Sequence, residues 1–393
     1  MQLRAFLAAA LTALTAQLGR AARDAQTFAL LQFNGGEIFR GRLDPIVSPG
    51  RVSEHVHGVV GGSGFAADAT GESLARSSCT SAKAADDKSA YWFPWLYFHD
   101  PATGKFESVE ISYVNVYYFF EPTDDRITAF PQGLQIVSGD ASTRVAPWTR
   151  GRLNLDPDKG DIQPVQWSCP RSPNDINNPP SWPPGSDGST AGEVDPGSYK
   201  AEAGTGFPDV DCNGFASPLR ADIHMPYCYD PSKRLDEYQT NMAFPRFQGG
   251  KYNCPAGWIH VPHMFIEVYW NTPVFRGRWP EGQGTQPFVL SNGDATGYSS
   301  HADFLAAWDE SVLQGVIDSC NARTQEDLRL PVLDTSLDAL NKTTQTPGEA
   351  HIGLQPIPGD IYLRLLRILQ HTVHKSGQRN LQVVRTGREP LTI

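Results

Sequence analysis

The sequence predicts a mainly β fold, a single β-sandwich or jelly-roll-like domain with long loops, on three observations. Short runs rich in Val, Ile, Tyr, Phe and Trp recur between turn residues. The 393 residues include 36 Gly and 31 Pro, too many for a helical bundle, because each interior Gly or Pro costs roughly 1–3 kcal/mol of helix. No alternation of strands with helices and no repeat of fixed period runs through the chain. At 40% hydrophobic and 19% charged residues the chain is too apolar for a disordered segment and long enough to bury a sizeable core. Its formal charge of −10 removes the electrostatic case for a nucleic-acid partner.

The elements follow in order. Residues 1–21 read as a signal peptide: Arg4 is a short basic region, Ala5 to Leu18 is mostly Ala, Leu and Thr, and Gly19-Arg20-Ala21 offers small residues for cleavage. Fourteen weakly apolar residues are too few for a span, which needs about 20. The expectation is a chain with no transmembrane segment, secreted and extracellular or cell-wall-associated. The main domain is placed at 28–321. Strands are expected at Ile111–Phe120, Leu134–Val137, Val261–Trp270 and Pro287–Leu290. Tyr91–Phe98 also looks extended, and Pro94 assigns it to an edge or a bulge. The segment 169–210 carries eight Pro between Pro170 and Pro208 and reads as a long loop inserted within the domain.

A helix is expected near residues 301–319. Phe304, Leu305, Trp308, Val312, Leu313, Val316 and Ile317 form an apolar stripe at helical spacing, with Ser300 as N-cap and Asp303 completing a capping box. Residues 322–393 form a linker and a basic tail. Gly359 to Ile393 holds six Lys or Arg against two Asp or Glu, with a candidate helix at 360–375; a plain surface helix or a frayed tail is preferred to a membrane-surface helix. Six cysteines, at 79, 169, 212, 228, 254 and 320, are an even set in a chain expected to be exported, so disulfides are predicted, with 15 pairings open. The absence of Cys-x-x-Cys argues against a zinc knuckle. Asn341-Lys342-Thr343 is a glycosylation sequon.

The chemistry concentrates in two loops. In Val52-Ser53-Glu54-His55-Val56-His57, an extended backbone puts His55 and His57 on one face. Two imidazoles on one face are half of a metal site or an acid–base pair, and equally serve as polar anchors of a loop. The following Gly61-Gly62-Ser63-Gly64 is not a serine-hydrolase elbow, since Phe65 stands where Gly is needed. In Ser291 to Asp303, His301 is expected in the first helical turn, where the helix dipole keeps imidazole neutral and fit for a metal or a base role. Asp294 and Tyr298 on that loop add an acceptor and a phenol. Arg220 suits a carboxylate or sugar ligand, with His224 near it. His260 and His263 form a third group, one of them expected toward the core or solvent. There is no His-Glu-x-x-His, no phosphate-binding loop and no dinucleotide fingerprint.

Taken in order, Gly41-Arg42-Leu43-Asp44-Pro45-Ile46-Val47-Ser48-Pro49-Gly50, His55-Val56-His57 with Gly61-Gly62-Ser63, Tyr91-Trp92, Leu96-Tyr97-Phe98, Arg220-Ala221-Asp222-Ile223-His224-Met225-Pro226-Tyr227-Cys228-Tyr229-Asp230, Cys254-Pro255, His260-Val261-Pro262, Phe265-Ile266-Glu267 and Gly293-Asp294-Ala295-Thr296-Gly297-Tyr298 with His301 and Asp303-Phe304 form a series. The chain thereby resembles the fungal secreted family catalogued as domain of unknown function nineteen-ninety-six, over about Phe28 to Cys320. The resemblance implies an exported fungal protein, in some members joined to a Cys-rich WSC module that is not seen here, and it hands over no catalytic residue. Where the family has Cys-Thr-Thr-Cys, this chain has Cys79-Thr80-Ser81-Ala82, so that local disulfide is missing.

Two functional readings follow. The first is an enzyme acting on cell-wall or biomass polysaccharide, lyase-like or metal-assisted hydrolytic. His55, His57 and His301 would form its centre, holding a divalent metal, with Asp294, Tyr298 and Arg220 around them and aromatics such as Trp92, Trp95 and Tyr97 stacking on sugars. The second is a non-catalytic carbohydrate-binding or wall-associated protein whose histidines fix loops. The first reading requires His55, His57 and His301 to converge in space.

Overall fold

Along Ile111–Phe120, Val114, Val116, Tyr118 and Phe120 alternate with less buried residues, the period of a strand with one face in a core. The computed structural model describes residues 23–33, 36–169, 193–195, 202–213 and 218–320. The expected signal peptide, most of the Pro-rich loop, the sequon and the basic tail lie outside them.

The strands of the two main sheets are, in chain order, β1 (Thr27–Gln32), β2 (Phe39–Gly41), β3 (His57–Gly61), β4 (Ala90–Pro94), β5 (Ile111–Phe120), β6 (Gln135–Gly139), β7 (Val165–Ser168), β8 (Glu193–Val194), β9 (Ala203–Thr205), β10 (Arg220–His224), β11 (His263–Trp270) and β12 (His301–Leu305). A seven-stranded sheet runs β1-β5-β11-β10-β7-β9-β8, and a five-stranded sheet runs β2-β3-β4-β12-β6. The pairings are antiparallel. A further three-stranded sheet of Phe288–Leu290, Leu96–His99 and Phe106–Ser108 flanks them.

The two main sheets face each other across one core. Val60, Tyr91, Phe93, Ile136 and Phe304 from the smaller sheet share a buried cluster with Val116, Tyr118, Ile223, Ile266 and Trp270 from the larger. Phe93 meets Trp270 edge-on, 5.9 Å between ring centroids, and the Tyr91 and Tyr118 hydroxyls bond across the layer. This is a mainly β sandwich, as the sequence predicts. The outer face of the smaller sheet is also covered. Val59, Trp92 and Leu305 pack there against Ile46, Ala69 and Leu74, which belong to the loop before β3, to the segment between β3 and α1, and to α1 (Gly71–Ala75) itself, capped by Thr70. That second layer of cover explains how polar residues on this face become buried.

Two expectations change, and the open cysteine pairing is filled in. The helix α2 spans Glu310–Ser319 with Asp309 as its N-cap, whereas His301–Leu305 is strand β12, buried throughout. Phe304 and Leu305 extend the helical stripe by coincidence. Ala302 and Phe304 point to the sandwich core and Leu305 to the outer cluster, and ladders to β4 and β6 on either side fix the strand. Neither Ser300 nor Asp303 is a helix cap. Pro94 closes β4, a strand with neighbours on both sides; as the last residue it forfeits no more than its own N–H. The chain then leaves for the flanking sheet at Trp95, whose N–H donates to Val56 O. Finally, the disulfides are Cys169–Cys212 and Cys228–Cys254. Cys79 is exposed, and Cys320 is buried.

Asp87 supplies a pH-dependent test of this core. Its carboxylate accepts the Ser89 N–H and the Tyr91 hydroxyl, yet burial pushes its pKa up to about 6. A folded-state pKa above the unfolded value favours the fold at low pH, and that contribution is lost as pH rises from about 4 through about 6. Asp87→Asn should therefore gain about 3 kcal/mol relative to the parent between pH 4 and pH 7, taking ~1.4 kcal/mol per unit. Urea denaturation at both pH values reads the difference; a pH-independent gap contradicts it.

A three-histidine candidate metal centre

The register of the smaller sheet builds the site. His57 pairs with Pro94 across β3 and β4. Asp303 pairs with Trp92, so continuing that register places His301 level with Pro94 from the other side. His57 and His301 therefore flank one proline on the outer face, while their neighbours Val60 and Ala302 point into the core. His55 arrives from the loop just before β3 rather than from an extended strand; its ring lies 4.2 Å from that of His57 and 5.0 Å from that of His301, centroid to centroid. The His57 and His301 rings are 5.9 Å apart. One ligand nitrogen from each of the three fits within 4.8 Å of the others, a group that could hold a metal ion.

Burial and tautomer prepare these rings. His57 and His301 are 0% and 4% exposed, and His55 is partly buried. Burial, and then the other two rings, hold His57 well below the ordinary imidazole range. Burial, then His301, Arg144 and Arg42, bring His55 down to about 4, and burial also lowers His301. The set is neutral near pH 7, the form that binds metal. His57 Nδ1 lies 3.0 Å from Leu43 O, and His301 Nδ1 lies 2.8 Å from Ser299 O. A carbonyl only accepts, so both Nδ1 atoms carry the proton and both Nε2 atoms present lone pairs. His57 Nε2 is buried without a hydrogen-bond partner among the described residues. His301 Nε2 lies 3.1 Å from His55 Nε2. Three imidazole nitrogens with no thiolate suit zinc, copper, iron or nickel, and leave coordination positions for water or substrate.

Close packing fixes His301. Gly139 stands opposite it in β6 with φ +86°, and a Cβ there would lie 2.4 Å from Ser300 O, so only glycine lets β6 pass. Asp294 is buried, and its carboxylate accepts from the Thr296 and Ser299 backbone N–H groups and both hydroxyls. With these bonds it shapes the loop that delivers Ser299 O to His301; it is a positioning residue, not a free base. Tyr298 is buried on the same loop, and among the described residues no hydrogen bond links its phenol to the three imidazoles. Asp303 lies beside Trp92 on the outer face, where burial and then Asp44 push its carboxyl well above the carboxylate range.

Arg220 does not join the centre. It projects from the outer face of the seven-stranded sheet, on the far side of the sandwich, since Ala221 and Ile223 beside it fill the core. It is paired with Asp222 and Glu267. Trp92 and Trp95, both 0% exposed, are core residues and cannot stack on a ligand. Tyr97 does reach the surface. With Phe106, Val289, Leu290, Ser291 and Gly293 it lines a shallow groove of about 250 Å³. Ser291 Oγ donates to O of Val56, the residue between two of the histidines. His260 and His263 are both buried. Asp125, Cys254 and His260 also come together, but Cys254 is in a disulfide and its sulfur is no thiolate ligand.

The backbone carbonyls of Leu43 and Ser299 carry no signal in a sequence, and the pairing of His224 with His263 (3.0 Å) joins two motifs that the sequence left separate.

Fold and site together define a β-sandwich protein with a pre-ordered three-histidine centre. The model of the DUF1996 family, a domain of unknown function, matches residues 44–308, and the chain belongs to that family. No curated protein and no solved structure gives a significant match.

Proposed function

We propose that this is a secreted protein that acts on cell-wall or biomass glycans by metal-assisted hydrolysis, with a divalent ion held by His55, His57 and His301. The observation that carries this reading is the pair of carbonyl-fixed tautomers, which leaves two bare Nε2 atoms: that of His301 lies 3.1 Å from His55 Nε2, and that of His57 is buried without a hydrogen-bond partner among the described residues. Such an ion lowers the pKa of a bound water toward 7 and polarises a substrate oxygen. With that help one water would be added across the glycosidic bond, its hydroxyl going to the anomeric carbon and its proton to the leaving oxygen. The groove beside Val56, with Tyr97 and the 59% exposed Phe106, gives a sugar ring an apolar platform.

A second reading has its own observation: the same two carbonyl bonds tie the loops at Leu43 and Ser299 whether or not an ion is present. In that reading the protein binds glycans without turnover. The experiment is elemental analysis of the purified full chain, followed by assays on a panel of wall glycans with and without chelator. Stoichiometric metal and chelator-sensitive release of sugar are expected. Metal-free protein with a chelator-independent thermal midpoint overturns the metal centre, and metal-loaded protein without turnover leaves the binding reading.

A further inference from the structure

A second polar centre lies at one end of the outer face of the seven-stranded sheet, across the sandwich from the three histidines. His224 Nδ1 is 3.0 Å from His263 Nε2. His263 Nδ1 is 3.3 Å from Glu121 Oε2, and the Tyr227 hydroxyl donates to the same carboxylate. The Tyr227 ring stacks on His263, centroids 4.3 Å apart.

The protons in this chain can be placed. A carboxylate accepts, so His263 carries its proton on Nδ1; the contact is poorly aligned for a hydrogen bond, but the charge still opposes a lone pair there. His263 Nε2 is then bare and takes the Nδ1–H of His224. That leaves His224 Nε2 as a lone pair with no hydrogen-bond partner among the described residues, on a side chain that is only half-buried. Three buried groups thus hold one accessible imidazole in a single tautomer, an arrangement that positions bases elsewhere.

The surroundings indicate what meets that nitrogen. The strand register aligns Leu30, Tyr117, Phe265 and His224 in one row across β1, β5, β11 and β10. Phe265 stacks on His224 at 4.4 Å, and Tyr117 lies 5.8 Å from Phe265; Tyr117 and Phe265 are both half-buried. The nearby cation is spent: Arg220 directs its donors at Asp222, Glu267, Ser168 and Tyr269. A face of aromatic rings, one bare acceptor and no spare positive charge among these groups favours an uncharged polyhydroxylated ligand over a uronate.

We propose that this face is a second carbohydrate site, distinct from the three-histidine centre, in which His224 Nε2 accepts a hydroxyl of a neutral glycan lying against Tyr117 and Phe265. It stands independently of whether the histidine centre holds metal.

The test is NMR of the imidazole nitrogens in the ¹⁵N-labelled full chain, titrated with laminarihexaose, cellohexaose and chitohexaose. The free protein should show His224 with a protonated Nδ1 and a bare Nε2. At least one hexamer should shift the Nε2 signal saturably, and His224→Gln should weaken its binding at least tenfold. Tyr117→Ala is the second variant, with the same expectation, should His224→Gln fail to fold. The opposite tautomer, no shift with any of the three neutral hexamers, or unchanged affinity in folded variants overturns the proposal. The metal content of the same samples is read separately, so loss of one site is not mistaken for loss of the other.

Discussion

His57→Ala is expected to abolish stoichiometric metal binding. The substitution removes one of three ligand nitrogens and the only one that is fully buried without a hydrogen-bond partner among the described residues. Losing an outer-shell partner of a metal site lowers affinity by roughly 10–100-fold; losing a ligand should exceed that. The apoprotein should also lose about 1 kcal/mol, because Leu43 O is left without its donor in a partly buried setting. Titration calorimetry with zinc and chemical denaturation of the metal-free form separate the two effects. Parent-like zinc affinity in the variant would remove His57 from the centre. Should the variant be too unstable to handle, His55→Gln removes the least buried ring and reads the same affinity.

Arg220→Met should be the most destabilising single change on the opposite face. Arg220 lies between Asp222 and Glu267, both buried. Methionine keeps much of the stem and removes the charge, leaving two buried carboxylates facing each other. Breaking a buried pair in this way costs about 3–5 kcal/mol. The sign with pH follows. Burial already raises the Glu267 carboxyl against the lowering effect of Arg220; without the guanidinium it rises further, so the deficit grows as pH increases and shrinks as pH falls. Urea melts at pH 7 and pH 4 should show a larger loss at pH 7. A loss under 1 kcal/mol at pH 7 would show that the pairs with Asp222 and Glu267 do not hold this face together.

These two residues show what a linear reading can and cannot find. His55, His57 and His301 are legible as candidates because histidine in a Gly-rich or turn-rich loop is unusual in a chain with 10 His. Arg220 carries the same kind of signal and belongs to a different face, because its neighbours in space are Asp222, Glu267 and Ser168. Helix and strand signals also compete locally. Val312, Leu313, Val316 and Ile317 belong to a helix, while Phe304 and Leu305 fit both periods until β4 and β6 supply the ladders.

The sequence by itself determined that the chain is mainly β, where the strong strands lie, and which histidines are candidates for a site. Those follow from period-2 burial and from residue types, which are local properties. Only the tertiary structure decided that His301 lies on a strand, that a proline separates it from His57, and that backbone carbonyls fix both tautomers. The physical reason is strand order. β3 pairs with β4 from close by in the chain, but β12 joins the other side of β4 from more than 200 residues away, and no local pattern encodes which strands will share a ladder.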